Sequence, residues 1–295
     1  MTKQNKEIKV GFCVAYDWYL LRYAIPLIYQ QADKICLSLD NERRSWAGNL
    51  FSWDETGFRN MIAELDPENK IDVYEDNFHQ SELAPMQNEV RQRKMIAARM
   101  GSGGWHIQLD ADEYFLHFDR FVTFLKKQAT TRPVNIWCPY ITLFKQTNSG
   151  FLAIGHEDFF SADGNPVATN QPDYRHGRIS NWFNIRAPYY IIHQSWARDI
   201  SEITEKITNW GHKNDFDSAA FLSFWNALSE TNYTETKNFH PIQPSLWQSL
   251  YLLPGKTIDE LIVSSRNSEP AMPAAYKLAM KNSIWLSRLK KLVRR

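Results

Sequence analysis

Long apolar runs are missing from this chain, and so is any excess of charge. No stretch stays apolar for the roughly 20 residues that a membrane-spanning helix needs, which excludes such a helix. Lys and Arg total 34 against 33 Asp and Glu, a formal net charge of +1. No global basic field therefore argues for nucleic acid. Cysteine is scarce: Cys13, Cys36 and Cys138 each sit inside an apolar run. No two of them share metal-ligand spacing, so they read as buried reduced thiols of a cytosolic protein. The start, Met1 to Glu7, is polar and lacks the apolar core of a signal peptide. No internal repeat is visible.

What the chain has in quantity is length and aromatic rings. Its 295 residues suffice for one large α/β domain or a domain with a helical appendage. The 11 Trp, 13 Tyr and 17 Phe suit a substantial core, with a minority left to stack on sugars or bases.

One stretch organises the rest, Gly103 to Phe115. Trp105, Ile107 and Leu109 alternate with His106 and Gln108, which is strand periodicity. The strand runs into Asp110, Asp112 and Glu113. Ligands of open α/β sheets bind at the carboxyl ends of strands, where Asp110 falls. At a strand-to-loop turn Asp110 and Asp112 can converge, and both are hard oxygen ligands suited to Mg²⁺ or Mn²⁺. The alternative is a solvated acidic turn.

Upstream, Ile8 to Ala15 reads as a buried strand followed by Tyr16-Asp17-Trp18. An apolar helix through Leu20 to Ile28 comes next, with Pro26 inside it. A second strand covers Asp33 to Leu39 and ends at Asp40. This strand-helix-strand unit opens a doubly wound sheet. Asp40 either accepts hydrogen bonds from a ribose or base, or caps a turn. Asp54 to Leu65 is a helix and Ile71 to Tyr74 a third strand. Gln87 to Gly101 is a basic helix with Gly101 as its C′ residue, carrying Arg91, Arg93, Lys94 and Arg99. They form a solvated face, or one of them reaches a diphosphate, because the helix feeds the acidic strand directly.

Downstream, Phe121 to Gln128 is a short helix, and Val134 to Phe144 is a strand whose Pro139 requires an edge or a bulge. Glu157-Asp158 is a second carboxylate pair, which alternatively starts a helix. Ser161 to Arg178 is rich in Gly, Pro, Asn and Asp and reads as a mobile loop. Trp182 to Ile192 returns to strand, ending at His193. Helices then follow: one after the capping box Asp199 to Glu202, others from Asp217, from Pro244 through Tyr251, over Ile258 to Val263 and over Pro273 to Met280. Residues 282–295 form a basic amphipathic helix with Trp285, which either lies on an anionic membrane surface or docks on the protein.

In this order the pieces resemble the GT-A-fold glycosyltransferases, nearest to glycosyltransferase family 2. The resemblance covers about Ile8 to His193 and is most specific at Leu109-Asp110-Ala111-Asp112-Glu113. It implies a Rossmann-like mixed α/β sheet flanked by helices over residues 1–195, with a helical C-terminal extension over 196–295. It also implies a metal-dependent inverting transfer of a sugar from a nucleotide-sugar, UDP-linked on the family's habit, to a glycan or lipid-linked glycan of the bacterial surface. Carried across by position, Asp110, Asp112 and His193 hold Mn²⁺ or Mg²⁺; Asp17, Asp40, Arg93 and Asp110 line the nucleotide pocket; and Asp158, with Glu157 beside it, is the general base. His193 is alternatively an ordinary strand-end histidine, and His212 is a weaker candidate ligand. The location implied is cytoplasmic, or peripheral on the inner face of the cytoplasmic membrane. The sequence departs from the family at Leu39-Asp40-Asn41-Glu42-Arg43-Arg44 and at Tyr16-Asp17-Trp18, and lacks the Gln-x-x-Arg-Trp helix of processive synthases. Two alternatives stand beside this reading. One is a nucleotidyltransferase, whose glycine-rich signature is absent after Val14. The other is a carbohydrate-binding protein without catalysis.

Overall fold

The computed structural model describes residues 6–128, 132–155, 164–209 and 215–292, with side chains as far as residue 286. Its first half alternates strand and helix: β1 (Ile8–Val14), α1 (Leu21–Ile28), β2 (Lys34–Asp40), α2 (Glu55–Leu65), β3 (Ile71–Asp76), α3 (Pro85–Arg99) and β4 (Trp105–Asp110). Then come β5 (Glu113–Phe115), α4 (Phe118–Lys127), β6 (Val134–Gln146), β7 (Gly150–Gly155), β8 (Gly164–Thr169), β9 (Phe183–Arg186) and β10 (Ile191–His193). The chain ends with α5 (Ile200–Asn209), α6 (Ser218–Ala227), β11 (Ser249–Pro254), α7 (Ile258–Asn267) and α8 (Ala274–Leu292).

Four strands in the order β3-β2-β1-β4 are mutually parallel. Their chain order reverses between β1 and β4, because β1 leads outward to β2 and β3 while β4 returns to the other side. Beyond β4 the sheet turns antiparallel through β8, β6, β7 and β11. The α/β class with a mixed sheet and flanking helices is thus what the molecule has. β1 is buried along its whole length, which fits a central parallel strand covered on both faces. Gly11 in β1 is required by packing, since a Cβ there would collide with Ile96 of α3. That close approach brings α3 down onto the sheet beside Asp110.

Several sequence expectations need correcting. The segment read as a mobile loop contains β8, because Val167, Ala168 and Thr169 are buried between β4 and β6. Trp182 to Ile192 is two strands rather than one, broken around Pro188. Pro139 falls where β6 changes partner from β9 to β10, and on its other side it stands opposite Gly164 at the end of the pairing with β8. The helix expected from Pro244 is a short 3₁₀ turn, Pro244–Leu246, followed by β11 along β7. A run of alternating Leu and Tyr is too short to separate the two periods. The two C-terminal helices expected separately are one helix, α8.

The C-terminal third packs in two places. Trp196, Ile203, Ile207, Phe221, Trp225 and Trp247 join Phe144 and Leu152 in an aromatic cluster over the antiparallel strands. Ile258, Leu261 and Ile262 of α7 join the main core. Among the described residues no helix is long and apolar enough to cross a membrane.

The buried core also contains one titratable ring with a measurable signature. His106 in β4 is 1% exposed. Burial, and then the Lys9 ammonium, push its pKa down from 6.5 to about 4. Above pH 6.5 the ring is neutral in both states. Between pH 6.5 and 4 the unfolded chain binds a proton that the folded chain refuses, so stability falls as pH drops through that window. The full effect is about 3 kcal/mol. Urea unfolding from pH 7 to 4 should show this loss, and His106→Leu should flatten that part of the profile.

Candidate active site

A cleft of about 600 Å³ opens over the carboxyl ends of β1, β2 and β4. It therefore sits at the reversal of strand order, where the two flanking loops diverge and leave room for a ligand. Asp17 lies on the loop after β1, Asp110 ends β4 and Asp112 lies on the turn between β4 and β5; all three line the cleft. The tight turn makes the spacing chemically useful, since both aspartates reach the cleft instead of pointing to opposite faces.

Each carboxylate of the turn has its own cations. Asp110 Oδ1 accepts from Arg93 Nη2 and Oδ2 accepts from Arg178 Nη2, both at 2.8 Å. Burial opposes its charge, but the Arg93 and Arg178 guanidiniums outweigh burial and hold Asp110 below the ordinary carboxylate range. Asp112 Oδ2 accepts from Arg198 Nη2 at 2.6 Å, with Lys206 Nζ at 3.6 Å and His193 Nε2 at 3.7 Å. Burial again opposes the charge, and His193, Lys206 and Arg198 together overcome it, so Asp112 is held far below its usual value. Asp17 Oδ2 shares the same Arg198 Nη2 at 3.0 Å. There burial wins over Arg198, and its pKa is raised. Burial lowers the pKa of Lys206, with Asp112 partly compensating.

Glu113, the third acid of the motif, is structural. Its two oxygens take parallel bonds from Arg178 Nη1 and Nη2, each 2.7 Å, and a third from Tyr140 Oη at 2.8 Å. This fork-on-fork pair orients Arg178, leaving its Nη2 to reach Asp110 as well.

Arg198 is placed by a strained turn after β10. Gln194 N donates to Asp112 O at 2.9 Å, and Tyr114 Oη donates to Gln194 Oε1 at 2.5 Å. Ser195 adopts φ of +37°, a left-handed conformation uncommon for a residue with a Cβ. Helix α5 then carries Lys206, and its reciprocal cap has Asp199 N donating to Glu202 and Glu202 N donating to Asp199.

The residues expected from sequence separate into groups. Asp17, Asp110, Asp112 and His193 come together, with Arg93 behind Asp110. Asp40 borders the cleft, but its carboxylate is occupied: Oδ1 accepts from the amides of Glu42 and Arg44, and Oδ2 from those of Phe78 and His79. That is the turn-capping alternative carried out across two loops. Glu157, Asp158 and His212 lie outside the described residues. Of the basic residues on α3, only Arg93 reaches the site. Arg91 bonds the carbonyls of Asn77 and Phe78, and Arg99 pairs with Asp72. Arg178, Arg198 and Lys206 were not singled out from sequence, since none stands in a motif. The available signal was electrostatic: three acids in four residues at a buried strand end need partner cations.

The resemblance implies a divalent ion on Asp110, Asp112 and His193. As arranged, the residues do not fit one. Both oxygens of Asp110 and Oδ2 of Asp112 are held by guanidiniums. Among the described residues no group of three or more His, Cys, Asp or Glu side chains is placed to hold a metal ion.

No family model and no curated protein matches the chain. Among solved structures it is similar to the mannose-1-phosphate geranyltransferase of Thermus thermophilus, with 9% identity and a TM-score of 0.27, over 57% of this chain and 51% of that one. The chain thus spans about half the length of that protein. It is also similar to the 4-diphosphocytidyl-2C-methyl-D-erythritolsynthase of Anaerococcus prevotii, with 12% identity and a TM-score of 0.30, over 90% of this chain and 99% of that one. At these values the reading of the fold rests on the strand order itself.

The occupied state of Asp40 makes a stability claim. Asp40→Ala removes the acceptor of four backbone N–H groups at once, one in a buried bond and three in part-buried ones, and should cost about 3 kcal/mol. Denaturant midpoints check this, and a loss below about 1 kcal/mol would mean that water replaces the carboxylate.

Proposed function

We propose that this chain is a glycosyltransferase that takes a sugar from a nucleotide-sugar donor, UDP-linked in the first instance, and passes it to a glycan or lipid-linked glycan. The supporting observation is the meeting of Asp17, Asp110 and Asp112 with Arg198 and Lys206 in one cleft at the strand-order reversal. A volume of about 600 Å³ suits a ligand of that size. Trp46, Pro85 and Met86 line the cleft above β2 and offer faces to a base, with the Trp46 indole fixed by a 2.6 Å bond to Gln92.

In the reaction the acceptor hydroxyl attacks the anomeric carbon. The bond from that carbon to the phosphate oxygen breaks, and its electron pair leaves with the nucleoside diphosphate. Charge developing on the diphosphate meets the cations of the cleft, fixed in place before the reaction. The acceptor's proton passes to a carboxylate. Asp158, with Glu157 beside it, is assigned that role on the resemblance; the described residue that closes this segment, Gly164, lines the cleft. The exposure of Leu278, Trp285 and Leu286 on α8, near Lys277 and Lys281, supports an acceptor held at an anionic membrane surface.

A thermal-shift panel of UDP-, GDP-, CMP- and dTDP-sugars tests the donor, with nucleoside diphosphate release as the activity readout. One nucleotide class should raise the melting temperature. Asp158→Asn should then lower kcat by about 100-fold or more at unchanged melting temperature. Pyrophosphate release from an NTP plus a sugar phosphate would instead make the protein a nucleotidyltransferase. A shift with glycans alone would make it a binding protein.

A further inference from the structure

Arg198 has donors to spare. Its side chain is 2% exposed and lines the cleft. A guanidinium carries five N–H groups on three nitrogens. Nη2 serves Asp17 and Asp112, while Nε and Nη1 have no hydrogen-bond partner among the described residues. Buried donors without partners are destabilising, and an anionic oxygen is the ligand that relieves this best. Lys206 stands beside it. Its Nζ gives a 2.9 Å bond to Ser195 O and lies 3.6 Å from Asp112 Oδ2, so an ammonium with three donors keeps capacity for another oxygen. Two cations thus face two carboxylates, with His193 alongside, and the donors exceed the acceptors. Both cations come from the segment after β10, whereas Arg93 comes from α3.

We propose that Arg198 and Lys206, flanked by His193, form an anion subsite for the phosphoryl oxygens of a diphosphate, and that Asp112 positions Arg198 instead of ligating a divalent ion. The identity of the group carrying the diphosphate, a nucleoside-linked sugar, rests on the function proposed above. The subsite itself rests on the unpartnered donors. Asp112 and Asp17 both take their bonds from Nη2, and the N–H groups of Nε and Nη1 carry the donor capacity left for the ligand. The cations then do at the departing diphosphate what a metal ion does elsewhere.

Isothermal titration of the full chain with inorganic pyrophosphate in EDTA tests this. The wild type should bind without metal. Lys206→Met and Arg198→Lys should each weaken binding about tenfold or more, losing charge-assisted and forked donors respectively. Asp112→Asn should bind as tightly as wild type or tighter, because the amide oxygen still accepts from Arg198 and holds it in place while a competing negative charge is removed. Circular dichroism establishes folding of each variant, and Lys206→Met decides the matter if Arg198→Lys does not fold. The proposal is overturned if wild type fails to bind in EDTA, if Lys206→Met leaves affinity unchanged, or if binding requires Mn²⁺ and vanishes in Asp112→Asn. Pyrophosphate binding as expected, with no nucleotide-sugar recognised, would sink the transferase reading and leave the subsite standing. Nucleotide-sugar binding that is indifferent to Lys206→Met would do the reverse.

Discussion

The bridge from Arg198 to Asp17 and Asp112 ties the molecule's halves together. Asp17 follows β1, Asp112 follows β4, and Arg198 follows β10, so one guanidinium pins three chain segments far apart in sequence. Removing one member of a buried set strands the others as unpaired charges, which typically costs about 3–5 kcal/mol. The bridge is therefore as much a fold constraint as a site feature. It also explains why the two aspartates differ. They share one nitrogen, but Asp112 has His193 at 3.7 Å and Lys206 at 3.6 Å close by, which hold its pKa down, while burial outweighs Arg198 at Asp17 and raises its pKa.

Around that bridge further buried contacts complete the site. Glu113 and Arg178 lock together beneath Asp110, with Tyr140 as a third partner. Arg93 closes Asp110 from α3, which Gly11 allows to lie close on β1. Above them the loop after β2 is held open in shape by Asp40 and tied to the end of α5 by Ser45 and Asn49, both bonded to Asn209 Oδ1. The loop after β2 and the C-terminal segment thus meet across the mouth of the cleft.

Much of the parallel half was legible in the sequence. Buried strands such as Ile8 to Val14 and Trp105 to Asp110 announce themselves by apolar content and bounded length, and the capping box at Asp199 by its spacing. The antiparallel half was legible only in part, at β6, read from Val134 to Phe144, and in the strand character around β9 and β10. β8 hides in a segment rich in Gly, Pro and Asn, and β11 in a short apolar run that a helix explains equally well. The site divided the same way. Acids at strand ends could be placed from one chain, because the strand places them. Their cations could not, since Arg178, Arg198 and Lys206 reach Asp110 and Asp112 only through tertiary contacts. Without those partners the acidic turn looked like a metal site; with them the same carboxylates are already neutralised.

The most direct test is a crystal structure of the protein with a nucleoside diphosphate and Mn²⁺, read by anomalous scattering. The account predicts Arg198 on Asp112, phosphate oxygens on Arg198 and Lys206, and no manganese peak at the Asp110–Asp112 turn. A manganese ion bound directly by Asp112, with Arg198 displaced from it, would contradict the account.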